Sequence, residues 1–188
     1  MIVSPMFLWK TVEGLPVGDS EPYRSGSMYE VIKHLHEIAD RLQDEVGVSL
    51  KMWKWFSELE DEATSCAKLF LCRSEDWALF HRPNPPDEVA GLVVYLSAMA
   101  PVAAYGPLVV RRPEGGSQGW VTNKNDVGLL PPGNWAPVRD QIVARLEAFG
   151  LEVQSHEELL AVLPRTPDIP PPFQGCSQFD AVFLPPAY

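Results

Sequence analysis

Val89–Leu96 reads VAGLVVYL, eight positions without a charged or amide side chain. A strand of that kind has no face to offer to water. It belongs at the centre of a sheet with other elements over both sides. The next apolar run, Val102–Val110 (VAAYGPLVV), predicts its antiparallel neighbour. Gly106-Pro107 inside that run predicts a bulge or an edge, because proline cannot donate to the ladder.

Around this centre the sequence places helices. Ser27 and Glu30 have capping-box spacing. Met28, Val31, Ile32, Leu35, Ile38, Ala39, Leu42 and Val46 follow at helical intervals, and Gly47 supplies a stop. Residues 49–63 fit two patterns. Lys51 to Trp55 alternates, but Met52, Trp55, Phe56, Leu59 and Ala63 also make a helical stripe. The good helix formers at Glu58–Glu62 favour a helix, with Trp53 projecting away from that stripe.

Cys66–Cys72 (CAKLFLC) and Trp77–His81 (WALFH) flank a polar turn and predict a hairpin. Residues 5–12 predict an edge strand, and residues 13–26 a loop. Residues 111–133 form a long polar stretch with a short strand at Gly119–Thr122. Asn134 caps a second helix with the stripe Trp135, Val138, Ile142, Leu146 and Phe149, closed by Gly150. Ser155 and Glu158 form another capping box before a short helix over 157–163. Phe179–Leu184 predicts a last short strand.

The expected fold class is α+β: a mostly antiparallel sheet of about four to six strands with three to four helices packed on it. The expected organisation is a single domain. It has a helical part at 27–63, a sheet part at 66–122, a helical part at 134–163 and a Pro-rich tail at 164–188.

A chain of 188 residues can bury a core without disulfides or metals. Its 46% hydrophobic and 21% charged content argues against wholesale disorder. A net charge of -10 opposes nonspecific nucleic-acid binding and attraction to anionic lipid. No apolar run approaches the roughly 20 residues of a membrane span. The start MIVSPMFLWK lacks the features of a secretory signal, and three scattered cysteines favour reduced thiols. The expected location is therefore the cytoplasm.

Motifs for chemistry are sparse. His34 and His36 are two apart on a predicted helix and point in different directions. Neither belongs to an H-E-x-x-H pair. His81 stands where a strand gives way to a loop, and His156 in the first turn of a capped helix. Cys66 and Cys72 share a strand face, yet six residues of strand separate them by roughly 20 Å. Cys176 with His81 and an acid makes only a generic nucleophile set. Gly115-Gly116 lacks the context of a phosphate loop. Arg111-Arg112 and Lys124 are commonplace solvated cations that can also meet an anion. Nothing here calls for a cofactor or a metal.

The charge is unevenly placed. Residues 13–62 hold 12 acids and 5 bases, a net of -7 out of the chain's -10. Solvation explains the acids on the outer face of the first helix. Trp53, Trp55, Glu58, Glu60, Asp61 and Glu62 form the candidate partner-binding set. Carboxylates steer a basic partner, and aromatics give anchoring area. The functional expectation is a non-enzymatic protein binder, most concretely an immunity or antitoxin-like inhibitor of a basic toxin enzyme. One alternative is a small hydrolase or transferase with a loop-built site near His81, Tyr95, Tyr105 and 111–133. Another is an accessory subunit of a larger assembly.

Overall fold

The computed structural model describes residues 3–46, 49–60, 64–82, 86–111 and 119–184. Helices α1 (Pro5–Val12) and α2 (Met28–Val46) precede strand β1 (Leu50–Trp55) and the single turn α3 (Ser57–Glu60). Then come β2 (Cys66–Arg73), α4 (Ser74–Phe80), β3 (Glu88–Ser97), β4 (Val102–Arg111) and β5 (Gly119–Thr122). The chain continues with α5 (Ala136–Ala148), β6 (Glu152–Val153), α6 (His156–Leu160) and α7 (Gln178–Phe183). The six strands form one sheet in the order β1-β2-β3-β4-β5, with β6 added beside β4. Every pairing is antiparallel except β4 with β6. The fold is α+β, as the pattern of runs predicts.

Strand β3 is central, and its side chains divide between two cores. Leu92, Val94 and Leu96 join Val31, Leu35, Ile38 and Leu42 of α2 and Ile142 and Leu146 of α5. Val89, Val93 and Tyr95 join Phe7 and Leu8 of α1, Leu159 of α6, and Phe179, Val182 and Phe183 of α7. Burial on both faces accounts for the unbroken apolar run. Gly91 is the one position where β3 has no room. A Cβ there would lie 2.5 Å from the Leu71 carbonyl oxygen and 3.0 Å from Cys72 Sγ.

Gly106-Pro107 does not interrupt the ladder as expected. Gly106 pairs with Val93 and Pro107 with Leu92 in continuous register. The outer edge of β4 is taken by β6 at Val102 and Ala103 and by β5 from Leu108 onward. The Tyr105 oxygen on that edge accepts from Gly128 N at 2.6 Å. Pro107, two residues on, presents the same edge in the gap between β6 and β5, where no donor is required.

Four other elements differ from the sequence expectation. Residues 5–12 are helical, because Ser4 caps them (Phe7 N to Ser4 Oγ, 3.1 Å) and Pro5 opens the first turn. Residues 50–55 are a strand rather than the start of a helix. Alternation there buries Leu50 against the α2 core while Trp53 packs on the opposite core. The WALFH segment is the body of α4, whose acidic first turn (Glu75, Asp76) suits a helix start. Phe179–Leu184 lies mostly in α7, capped by Ser177 through Asp180 N at 3.2 Å. These exchanges also raise the helix number above the expected three to four.

The other helices follow the sequence. Glu30 N donates to Ser27 Oγ at 3.4 Å, and Ser155 with Glu158 makes both halves of a capping box. The second long helix starts from Trp135 rather than Asn134, with Pro137 in its first turn. Gly47 and Ala63 lie outside the described residues.

Candidate functional site

Among the described residues strand β1 pairs with β2 only, and its side chains set the first candidate surface. Lys51, Trp53 and Trp55 share one face, since residues two apart on a strand point the same way. Trp53 is half-buried and Trp55 is 43% exposed. This reverses the expectation from a helix, in which Trp53 was the outward residue. Trp55 sits opposite Lys68 in register, 6.4 Å ring to ring from Phe70. Glu60 Oε1 meets His36 Nε2 at 3.1 Å, and the His36 ring stacks on Phe56 at 3.8 Å. Lys54, on the other face, binds Asp40 of α2 and holds the Asp40 carboxyl below its ordinary range. Glu37, Asp40 and Asp44 stand exposed along α2. Of the remaining predicted residues, Glu58 belongs to α3 by its backbone. Asp61 and Glu62 lie outside the described residues.

Trp53 has a different role from the one its neighbours suggested. Its ring lies 4.3 Å from Trp77 of α4 and 4.9 Å from Trp120 of β5. Trp120 stacks on Phe70 of β2 at 5.1 Å. Three strand spacings would hold Phe70 and Trp120 at least roughly 14 Å apart on a flat sheet. The sheet therefore curls toward this face, and Trp120 leans across it. His81 closes the cluster, its ring tilted against that of Trp77 at 4.2 Å, with Nδ1 at 2.8 Å from the Trp77 carbonyl oxygen. This is the i, i+4 geometry of a helix end, not a strand end.

The concave face holds a cleft of about 380 Å³. Lys68, Tyr95, Thr122, Asn123, Lys124, Phe179 and Leu184 line it. Lys124 Nζ spans both carboxylate oxygens of Asp180 at 3.0 and 3.2 Å, and Asp180 accepts from Ser177 Oγ at 2.9 Å. Burial pushes the Tyr95 phenol up to about 12, against the opposing effect of a hydrogen bond with Thr122. Phe179 meets the Tyr95 ring edge-on at 5.1 Å. Sequence reasoning named Lys124 and Tyr95 but passed over Lys68. Its signal was a charge at an inward position of the apolar string CAKLFLC.

The remaining candidates do not converge on this cleft. Tyr105 faces the α5 core, where its hydroxyl accepts from Arg139 Nη1 at 3.1 Å. His156 Nδ1 lies 2.5 Å from the Val127 carbonyl oxygen. Burial holds His34 below its ordinary value. Cys66 and Cys72 are buried, and burial with nearby Asp76 pushes the Cys72 thiol up to about 12. Cys176 is half-buried and donates to the Pro172 oxygen at 3.3 Å. Among the described residues no three His, Cys, Asp or Glu side chains gather as metal ligands. None of the described helices is long and apolar enough to cross a membrane. Gly115-Gly116 and Arg112 lie outside the described residues. Comparison with models of known families, with curated proteins and with solved structures finds no match for this chain.

Proposed function

We propose that the protein acts by binding a basic protein partner through the margin of the sheet at β1, an end strand among the described residues, and the acidic sequence that follows it. The observation that carries this reading is Trp55, a large aromatic left 43% exposed on an edge strand of a strongly acidic chain. Rings in that setting supply binding energy when a partner excludes water from them. Glu60, held against His36 of α2, and Glu58, Asp61 and Glu62 beside it in sequence would supply negative charge close to β1 in the chain. Trp53 contributes by fixing β1 against Trp77 and Trp120 rather than by contact.

The most concrete form of the proposal is an inhibitor of the immunity or antitoxin kind. Its carboxylates would occupy the basic cleft of a toxin enzyme in the place of phosphates. Such a pair meets in the cytoplasm, where reduced thiols such as Cys66 and Cys72 are stable.

The test is calorimetric titration against the protein encoded by the neighbouring reading frame. Trp55→Ala should weaken binding at least about tenfold. Combined reversal of Glu58, Glu60, Asp61 and Glu62 to Lys should abolish it, and added salt should weaken the wild-type complex. Undiminished binding by a folded charge-reversed variant would overturn the proposal.

A second reading, a small hydrolase or transferase, has one observation in its favour. The cleft brings Tyr95 together with Thr122, Asn123 and Lys124 of the 111–133 stretch. Against it, His81 packs on Trp77 and Tyr105 sits on the other side of the sheet.

A further inference from the structure

We propose that the cleft on the concave face binds a small apolar α-amino acid. Its carboxylate meets Lys124, its ammonium meets Asp180, and its side chain lies against Phe179 and Leu184. The site is distinct from the margin of the sheet at β1 and needs no protein partner.

Three observations support it. The first is the Lys124–Asp180 pair. Asp180 adjoins the cleft, bonded to Lys124 and next in sequence to Phe179. Lys124 Nζ directs two contacts to its carboxylate, at 3.0 and 3.2 Å, and Ser177 Oγ supplies another at 2.9 Å. An ammonium has three donors and a carboxylate about four acceptor sites. Among the described residues, one donor on Lys124 and one acceptor site on Asp180 Oδ1 thus remain uncommitted. Asp180 is also fixed in place, because its main-chain N donates to Ser177 Oγ at 3.2 Å in the first turn of α7.

The second observation is that this pair has both signs and no net charge. A simple anion beside Lys124 would also face the Asp180 carboxylate, and a simple cation beside Asp180 would face the ammonium. A ligand that carries both charges satisfies both ends. An α-amino acid bears its ammonium and carboxylate on one carbon, so its charges are about as close together as those of the pair. The other polar groups of the lining are engaged already. Tyr95 bonds with Thr122, Asn123 with Asn125 N and Asp126, and Lys68 has its own interaction within the chain. The third observation is size and wall. About 380 Å³ lies near the lower end of small-molecule sites, and Phe179 and Leu184 give the ligand's side chain an apolar surface.

The experiment titrates L-phenylalanine into the full chain. Its counterparts are 3-phenylpropanoate, which lacks the ammonium, and phenethylamine, which lacks the carboxylate. Binding is followed by amide and side-chain NMR shifts. The expected result is saturable L-phenylalanine shifts at Tyr95, Thr122–Lys124 and Phe179–Asp180. Each counterpart should bind at least about tenfold more weakly, as loss of a charge-assisted contact predicts. Asp180→Asn should weaken L-phenylalanine about tenfold and leave 3-phenylpropanoate no weaker. If Asp180→Asn does not fold, the three probes on the wild-type chain carry the decision. Equal binding of the three, or an equal loss of both ligands in Asp180→Asn, would mean an apolar cavity without recognition of a zwitterion. Shifts confined to other residues, or none that saturate, would remove the site.

Discussion

Trp53 and Trp120 lie 4.9 Å apart, ring to ring, although β1 and β5 are opposite ends of the five-strand path. Trp77 packs against both, at 4.3 and 6.2 Å. The two margins of the sheet are thus tied through side chains rather than through a shared ladder. Trp120→Ala should therefore cost about 2–4 kcal/mol, since a large half-buried ring leaves a hole lined by Trp53, Phe70 and Trp77. Trp55→Ala, outside the cluster, should cost less than about 1 kcal/mol. Urea unfolding followed by far-UV circular dichroism compares the two. Similar costs would mean that the cluster does not hold the curl.

Gly91→Ala tests the crowding at the middle of β3. Its Cβ would meet main-chain oxygen of Leu71, which cannot swing aside. The expected loss is about 1–3 kcal/mol, in the range of overpacked cores. Gly119→Ala is the matched control, because its nearest neighbour, the Arg111 oxygen, is 4.0 Å away. Equal stability of the two variants would show that β2 and β3 can separate at little cost.

Ser97 is the buried polar hinge of the cleft-side core. Its hydroxyl donates to the Val182 oxygen at 2.9 Å and accepts from Met99 N at 3.1 Å and Ala100 N at 3.3 Å. Its carbonyl accepts from Tyr23 Oη at 2.9 Å, and burial raises that phenol's pKa well above the ordinary value. Ser97→Ala strands three main-chain groups and should cost about 1–3 kcal/mol, and Tyr23→Phe about 1–2 kcal/mol. Thermal unfolding reads both. No change in melting temperature for Ser97→Ala would show that water replaces the hydroxyl.

Mild acid should weaken the fold partly through His34. Burial lowers its pKa below the ordinary 6.5, with Glu37 opposing and Arg41 reinforcing the shift. The folded state therefore binds this proton less readily than the unfolded chain. The contribution is fully present above about 6.5 and is lost as pH falls through the lowered folded value. Urea midpoints of wild type and His34→Gln, measured between pH 7.5 and 5, should diverge as pH drops, with the variant losing less. Parallel curves would show that His34 titrates alike in both states.

The sequence carried the sheet centre and the long helices clearly, because their patterns extend over many residues. The Val89–Leu96 run and the Ser27 and Ser155 caps each specify one structure. Short segments were less decisive. Residues 50–60 satisfied both periods, and pairing with β2 decided for the strand. The signals at Ser4-Pro5 and at Ser177 with Asp180 were present but stood beside short apolar strings that also read as strands. The cleft was only partly visible. Tyr95 and Lys124 stood out, whereas Lys68 acquires meaning once α7 lies over it. The Trp53–Trp77–Trp120 contact was not visible, since it depends on curvature that no local pattern encodes.

The hydrogen bond from Ser97 to Val182 has a consequence in time as well as in space. It joins positions 85 residues apart, and closing a loop of that length costs about 4 kcal/mol of chain entropy beyond a constant. The antiparallel pairings of β2, β3 and β4 close far shorter loops. The order of folding should follow, with the meander and α2 forming early and α7 docking last. Pulse-labelled hydrogen exchange during refolding should protect Leu92 and Val94 before the amides of α7. Simultaneous protection would mean that the two layers form in one step. Until that last helix docks, the cleft beside Tyr95 has no far wall, so it should be completed later than the sheet.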